Sequence, residues 1–136
     1  MTSLAHIAPR PRPTRDCVDA RLEPGLDAPH TARGIVTETL RRWQLDRRTI
    51  DDARLATSEL VTHAVEHGEG PVSLRIERLS ASVRVEVRDG GGGLTSTPGA
   101  ARAVPLGAAL TIVDRIATRW GVRGSALWAE LRARAT

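Results

Sequence analysis

Two runs of strictly alternating residues constrain this chain more than anything else in it. Pro71 opens a strand in which Val72, Leu74 and Ile76 face one way and Ser73, Arg75 and Glu77 the other; Val83, Val85 and Val87 then alternate with Arg84, Glu86 and Arg88. Leu79 to Ser82 leaves only a short connection, so the two runs form an antiparallel hairpin with one apolar and one wet face. A lone hairpin is marginal in water. Helices must therefore cover its apolar side.

The helices are legible on either side. Thr49 to Gly68, TIDDARLATSELVTHAVEHG, carries Ala53, Ala56, Leu60, Val61, Ala64 and Val65 at helical spacing. Thr49 with Asp52 reads as an N-terminal capping pair and Gly68 as a left-handed C-terminal stop, which bounds a helix over 50–67. Glu59, His63 and His67 fall at i, i+4 and i+8 on the border of its apolar arc, so an acid and two imidazoles share one edge. Ahead of it, Val18, Ala20 and Leu22 alternate as a short strand, Pro24-Gly25 breaks it, and Ile35, Val36, Thr39, Leu40 and Trp43 give a first helix its apolar stripe. After a loop at 95–105, a helix is expected over 108–119 with Leu110, Val113, Ile116 and Ala117 inward, then short strands over 120–123 and 126–132. The order strand, helix, helix, strand, strand, glycine loop, helix, strand, strand argues for an α/β (α+β) sandwich, a mainly antiparallel mixed sheet with helices on one face.

The 136 residues are the length of one domain, expected over 16–136, behind a Pro- and Arg-rich flexible arm at 1–15. Phe and Tyr are absent and only three Trp are present, so Ala, Val, Leu and Ile build the core. All 20 basic residues are Arg, and the net charge of +4 reflects that habit as much as a dedicated nucleic-acid surface, which the lack of stacking aromatics also speaks against. Nucleic acid is not the expected partner. A single cysteine, Cys17, fits a reducing compartment, and no apolar run suits a membrane span or a signal peptide, so a cytoplasmic protein is expected.

Asp89-Gly90-Gly91-Gly92-Gly93 follows the second strand of the hairpin directly. A carboxylate there can accept a hydrogen bond from an exocyclic amine, and glycines let backbone approach a flat ring; a plain turn is the competing explanation. The run is neither the phosphate loop that ends in Gly-Lys-Ser/Thr nor the dinucleotide fingerprint. A second pattern, His63-Ala64-Val65-Glu66-His67, spells H-x-x-E-H, which can place two imidazoles on zinc. Nothing marks Glu77, Glu86 or Glu130 as the third ligand, so a zinc hydrolase is a remote alternative and no stoichiometric zinc is expected.

Taken together, SELVTHAVEH, VEVRDGGGGL, PLGAALTIVDRIATRWGV and LWAEL resemble the histidine-kinase-like (GHKL) ATPase superfamily with its Bergerat-type fold, and within it the bacterial anti-sigma-factor serine/threonine kinases. The resemblance covers about residues 18 to 132. It implies ATP or ADP held between sheet and helices, with Glu59 as catalytic base, Asp89, Gly91 and Gly93 at the adenine, and Gly107, Ala109 and Leu110 as a second glycine motif near the phosphates. It implies a short lid over 95–106, a sigma factor or a small anti-anti-sigma protein as partner, and a homodimer. His63 stands where the family has its Mg²⁺-binding Asn, and Mg²⁺ prefers hard oxygen ligands. Ala109 stands where the second motif has a glycine. The reading is therefore an ATP-binding regulator of transcription that holds a protein partner, with serine/threonine kinase chemistry impaired at His63 and Ala109; the alternative is a degenerate interaction module that binds no nucleotide. If Glu59 and His63 have no catalytic part, a mutual i,i+4 hydrogen bond between them is the structural alternative.

Overall fold

A computed structural model of the chain describes residues 17–90 and 110–136. The flexible arm expected at 1–15, the lid at 95–106 and Gly91, Gly93, Gly107 and Ala109 lie outside the described residues. The elements run β1 (Cys17–Leu22), α1 (Ala28–Arg42), α2 (Arg47–His67), β2 (Val72–Arg78), β3 (Ser82–Asp89), α3 (Thr111–Ile116), β4 (Arg119–Arg123) and β5 (Ala126–Arg132). The strands form one sheet in the order β1-β2-β3-β5-β4. Every pairing is antiparallel, so among the described residues the mixed sheet expected from sequence is purely antiparallel.

The hairpin register follows the alternation, Leu74 opposite Val87 and Ile76 opposite Val85, and all four side chains are buried. They meet Ala53, Ala56, Leu60, Val61 and Ala64 of α2 and Val36 and Leu40 of α1 in one aliphatic core. Small residues on α2 let it lie close to the sheet, and the branched side chains of the strands fill the remaining space.

Two boundaries differ from expectation for physical reasons, those of α2 and the third helix, and the end of α1 is set in an unusual way. α2 begins at Arg47, because the Asp46 side chain accepts from the Thr49 backbone N–H at 2.9 Å and is the N-cap. Thr49 is instead buried, and its hydroxyl donates to the Arg132 carbonyl at 3.3 Å and accepts from the Arg134 N–H at 3.1 Å, tying β5 to the first turn of α2. α1 ends in a Schellman arrangement without glycine: Gln44 takes φ of +58°, Leu45 N–H reaches the Leu40 carbonyl and Gln44 N–H that of Arg41. The third helix is shorter than 108–119 among the described residues. It stops at Ile116, and Trp120 on β4 donates to Asp114 at 2.8 Å, which pins it to the sheet.

The other face of the sheet is polar and organised around Glu130. This carboxylate is 5% exposed and accepts from Arg84 at 2.6 and 3.0 Å and from Arg119 at 3.1 Å. Both guanidiniums also lie over the Trp128 ring, at 4.9 and 5.6 Å from its centroid. Gly121 sits opposite Trp128, where a Cβ would meet the ring at 3.2 Å. No helix among the described residues is long and apolar enough to cross a membrane.

Burial alone would push the Glu130 carboxyl up, but hydrogen bonds from Arg119 and Arg84, with their charges, outweigh it and hold it below the usual glutamate value. A lowered carboxyl pKa stabilises the fold above the unfolded value, and that contribution is lost as pH falls through the folded one. Glu130→Gln should cost roughly 2 kcal/mol near neutral pH, since it removes charged hydrogen bonds. In chemical unfolding from pH 7 to 3, its deficit against the parent should narrow below about pH 4.3, the ordinary glutamate value. A deficit independent of pH would show that the carboxylate charge is not what stabilises this face.

Candidate functional site

The C-terminal end of α2 and the end of β3 are locked together. Asp89, the last residue of β3, is 4% exposed. Its Oδ2 accepts from the Glu69 backbone N–H at 2.7 Å, and Gly90 N–H donates to the Glu69 carbonyl at 2.8 Å. Gly68 stands between them. A Cβ there would lie 2.7 Å from the Ala64 carbonyl oxygen, 2.7 Å from Asp89 Cβ and 2.8 Å from Asp89 Oδ2. Gly68 has φ of −103°, so the left-handed stop expected from sequence is absent. Glycine is required for close approach, and the positive φ belongs to Gly70 at +71°.

Along α2, the structure brings His63 and His67 together with ring centroids 4.5 Å apart and planes tilted by 42°. His63 is half-buried; burial first, then the charge of His67, pushes its pKa below the usual imidazole value, with Glu66 acting against both. It is therefore neutral at pH 7. Glu66 Oε1 lies 3.9 Å from His67 Nε2. Glu59 is half-buried and forms no hydrogen bond or ion pair with another described residue, so the Glu59–His63 pair considered above does not form. It sits nine residues before Gly68, roughly 13 Å up the helix axis at 1.5 Å per residue.

Leu110, the one described member of the second glycine motif, is 1% exposed and belongs to the aliphatic core, ahead of the first turn of α3. It is a packing residue that positions α3. No group of three or more His, Cys, Asp or Glu side chains among the described residues is placed to hold a metal. The imidazole nitrogens of His63 and His67 are not the hard oxygen donors that Mg²⁺ prefers.

Sequence reasoning passed over two features. One is the Glu69 backbone N–H, which no residue type signals. The other is a depression of about 870 Å³ on the outer side of α1, lined by Arg33, Arg41, Arg42 and Arg54 with Glu38 and His30. Arg33 at its edge donates to the Ser58 hydroxyl at 2.9 Å. Clustered arginines at helical spacing, i and i+8, were the available signal.

The described residues thus form a helix-backed antiparallel sheet in which the end of a central strand is closed against the neighbouring helix. The chain matches the model of the histidine kinase-like ATPase domain over residues 22–132, and it belongs to that family. Among solved structures it is similar to the RsbU and RsbW domains of Rv1364c from Mycobacterium tuberculosis, with a TM-score of 0.61 and 24% sequence identity. That likeness covers 92% of this chain and 33% of the other, and it is a likeness of fold. No curated protein matches the sequence.

Gly68→Ala tests the lock. The added methyl must displace either Asp89 or the last turn of α2, so it should destabilise the fold by about 1–3 kcal/mol and lower the urea midpoint with an unchanged slope. A substitution that leaves the midpoint where it is would mean that the two elements are not held at this distance.

Proposed function

We propose that the chain is an ATP-binding regulatory protein of the anti-sigma-factor serine/threonine kinase type, acting on transcription by holding a protein partner. The observation that carries this reading is the buried Asp89 carboxylate at the end of β3, fixed by Gly68 and Glu69 in a chain of the histidine kinase-like ATPase family. A carboxylate held this rigidly can accept the adenine amine with little entropy left to lose. By the family resemblance Gly91 and Gly93 are assigned to the adenine side and Gly107 and Ala109 to the phosphate side, while Leu110 packs in the aliphatic core beside them in sequence. Glu59, further up α2, is the residue that this reading assigns to proton abstraction from a hydroxyl of the partner. When bound, ATP supplies the phosphoryl group. The residues at the magnesium position do not fit that ion, and no step is assigned to it.

Calorimetric titration with ATP and ADP, each with Mg²⁺ and with EDTA, tests the nucleotide. Binding is expected in both conditions, with little gain from Mg²⁺. Asp89→Asn keeps the shape and one acceptor oxygen for Glu69, yet turns the other position into a donor facing the adenine amine; affinity should fall ten- to a hundred-fold, about 1.5 to 3 kcal/mol. A folded parent protein that binds neither nucleotide overturns the proposal.

The second reading, an interaction module without catalysis, is favoured by the neutral His63 packed beside His67 where phosphoryl transfer needs a metal-binding oxygen. Both readings share the partner: a sigma factor or a small anti-anti-sigma protein, bound by a homodimer in the cytoplasm. Affinity capture from the native cell with and without ATP should recover one of these two kinds of protein. Recovery of nucleic acid alone, released by moderate salt, would count against both readings.

A further inference from the structure

His63 and His67 lie one turn apart on the edge of α2, which brings their rings side by side. Their rings are tilted by 42°, so they are not simply stacked, and their centroids are 4.5 Å apart. Two imidazoles sharing one ion at a metal–nitrogen distance of about 2.1 Å, with between a right angle and a tetrahedral angle at the metal, have ring centres roughly 4.5–5.3 Å apart. The observed separation is at the near edge of that range, and a small rotation of the exposed His67 covers the rest. His67 is more than half exposed, with a side-chain accessibility of 58%, while His63 is fixed by half-burial. One ligand is thus held in place and one is free to close on an incoming ion. The Glu66 carboxylate 3.9 Å from His67 Nε2 adds a negative charge beside the pair, and its field reaches His63 as well.

We propose that His63 and His67 form a two-imidazole site for a borderline divalent cation such as Zn²⁺, Ni²⁺ or Cu²⁺, at the position where the family places Mg²⁺. Imidazole nitrogen selects these ions and disfavours Mg²⁺, so the replacement changes which metal the position accepts. Two protein ligands leave the other coordination positions to water or to an added anion. Such a site is open and exchangeable. No third protein ligand stands among the described residues, so this is neither a structural zinc site nor a hydrolytic one. The proposal needs no bound nucleotide.

The test is calorimetric titration of the untagged, chelator-stripped full chain with ZnCl₂, NiCl₂ and MgCl₂ in a non-coordinating buffer. One Zn²⁺ or Ni²⁺ per chain is expected, with no heat from Mg²⁺. His67→Gln, at an exposed position that leaves the core intact, should weaken Zn²⁺ binding at least tenfold, and His63→Gln should do the same, whereas His30→Gln should leave it unchanged. Electron paramagnetic resonance of the Cu²⁺ form should show coupling to two imidazole nitrogens in the parent and to one in His67→Gln, a readout that loss of folding does not imitate. Zn²⁺ binding that survives the combined His63→Gln and His67→Gln changes, an absence of binding in the parent, or a Cu²⁺ spectrum with fewer than two nitrogens would each overturn the proposal.

Discussion

The contact on which the site depends is the one between Asp89 and the chain that leaves α2. A carboxylate almost out of water needs partners of fixed direction, and the Glu69 N–H supplies one only because Gly68 lets the two backbones close to within a distance that no side chain would permit. The return bond from Gly90 N–H to the Glu69 carbonyl makes the contact reciprocal. A helix end and a strand end are thereby held as one rigid corner. A group that must discriminate a ligand by one hydrogen bond benefits from such fixing, because the geometry is set before the ligand arrives.

The same economy appears on the opposite face of the sheet. Glu130 alone would be costly there, and so would Arg84, but together with Arg119 and the Trp128 ring each satisfies the other's needs. Among the described residues the face is consequently ordered without a covering layer, and the helices gather on the other side. Polar organisation and apolar covering divide the sheet between them.

How much of this could be read beforehand depends on the range of the forces involved. The hairpin was fully legible, since Val72 to Ile76 and Val83 to Val87 carry a period that leaves a single register. The stripe of α2 was legible for the same reason. The family resemblance held. What failed was governed by contacts between residues far apart in sequence. Thr49 looked like a cap because its neighbours suit one, but the β5 terminus claimed its hydroxyl and Asp46 took the cap. Gly68 was selected for a conformation it does not adopt, since the real reason is Asp89, twenty-one positions on. Gln44 carries a left-handed conformation that glycine usually signals, and the pull of Leu45 into the core is what holds it there. Which neighbour His63 would choose, Glu59 or His67, was undecidable from spacing alone, because both lie four residues away.

One property of the sheet bears on how the molecule comes into being. Its order, β1-β2-β3-β5-β4, puts the last strand of the chain in the interior, so that Val85 of β3 waits for Ala129 and Trp120 of β4 waits for the same residue. The hairpin and its two helices can assemble from neighbouring sequence, but β3 keeps an open edge until β5 has been made, and β4 has no strand partner before then. Closing such a pairing spends loop entropy before it returns any contact energy. During synthesis the exposed margin of β3, rich in valine, is the place where a second nascent chain could pair in error. The alternating arginines and glutamate along that strand put charge on every second side chain of the margin until β5 arrives.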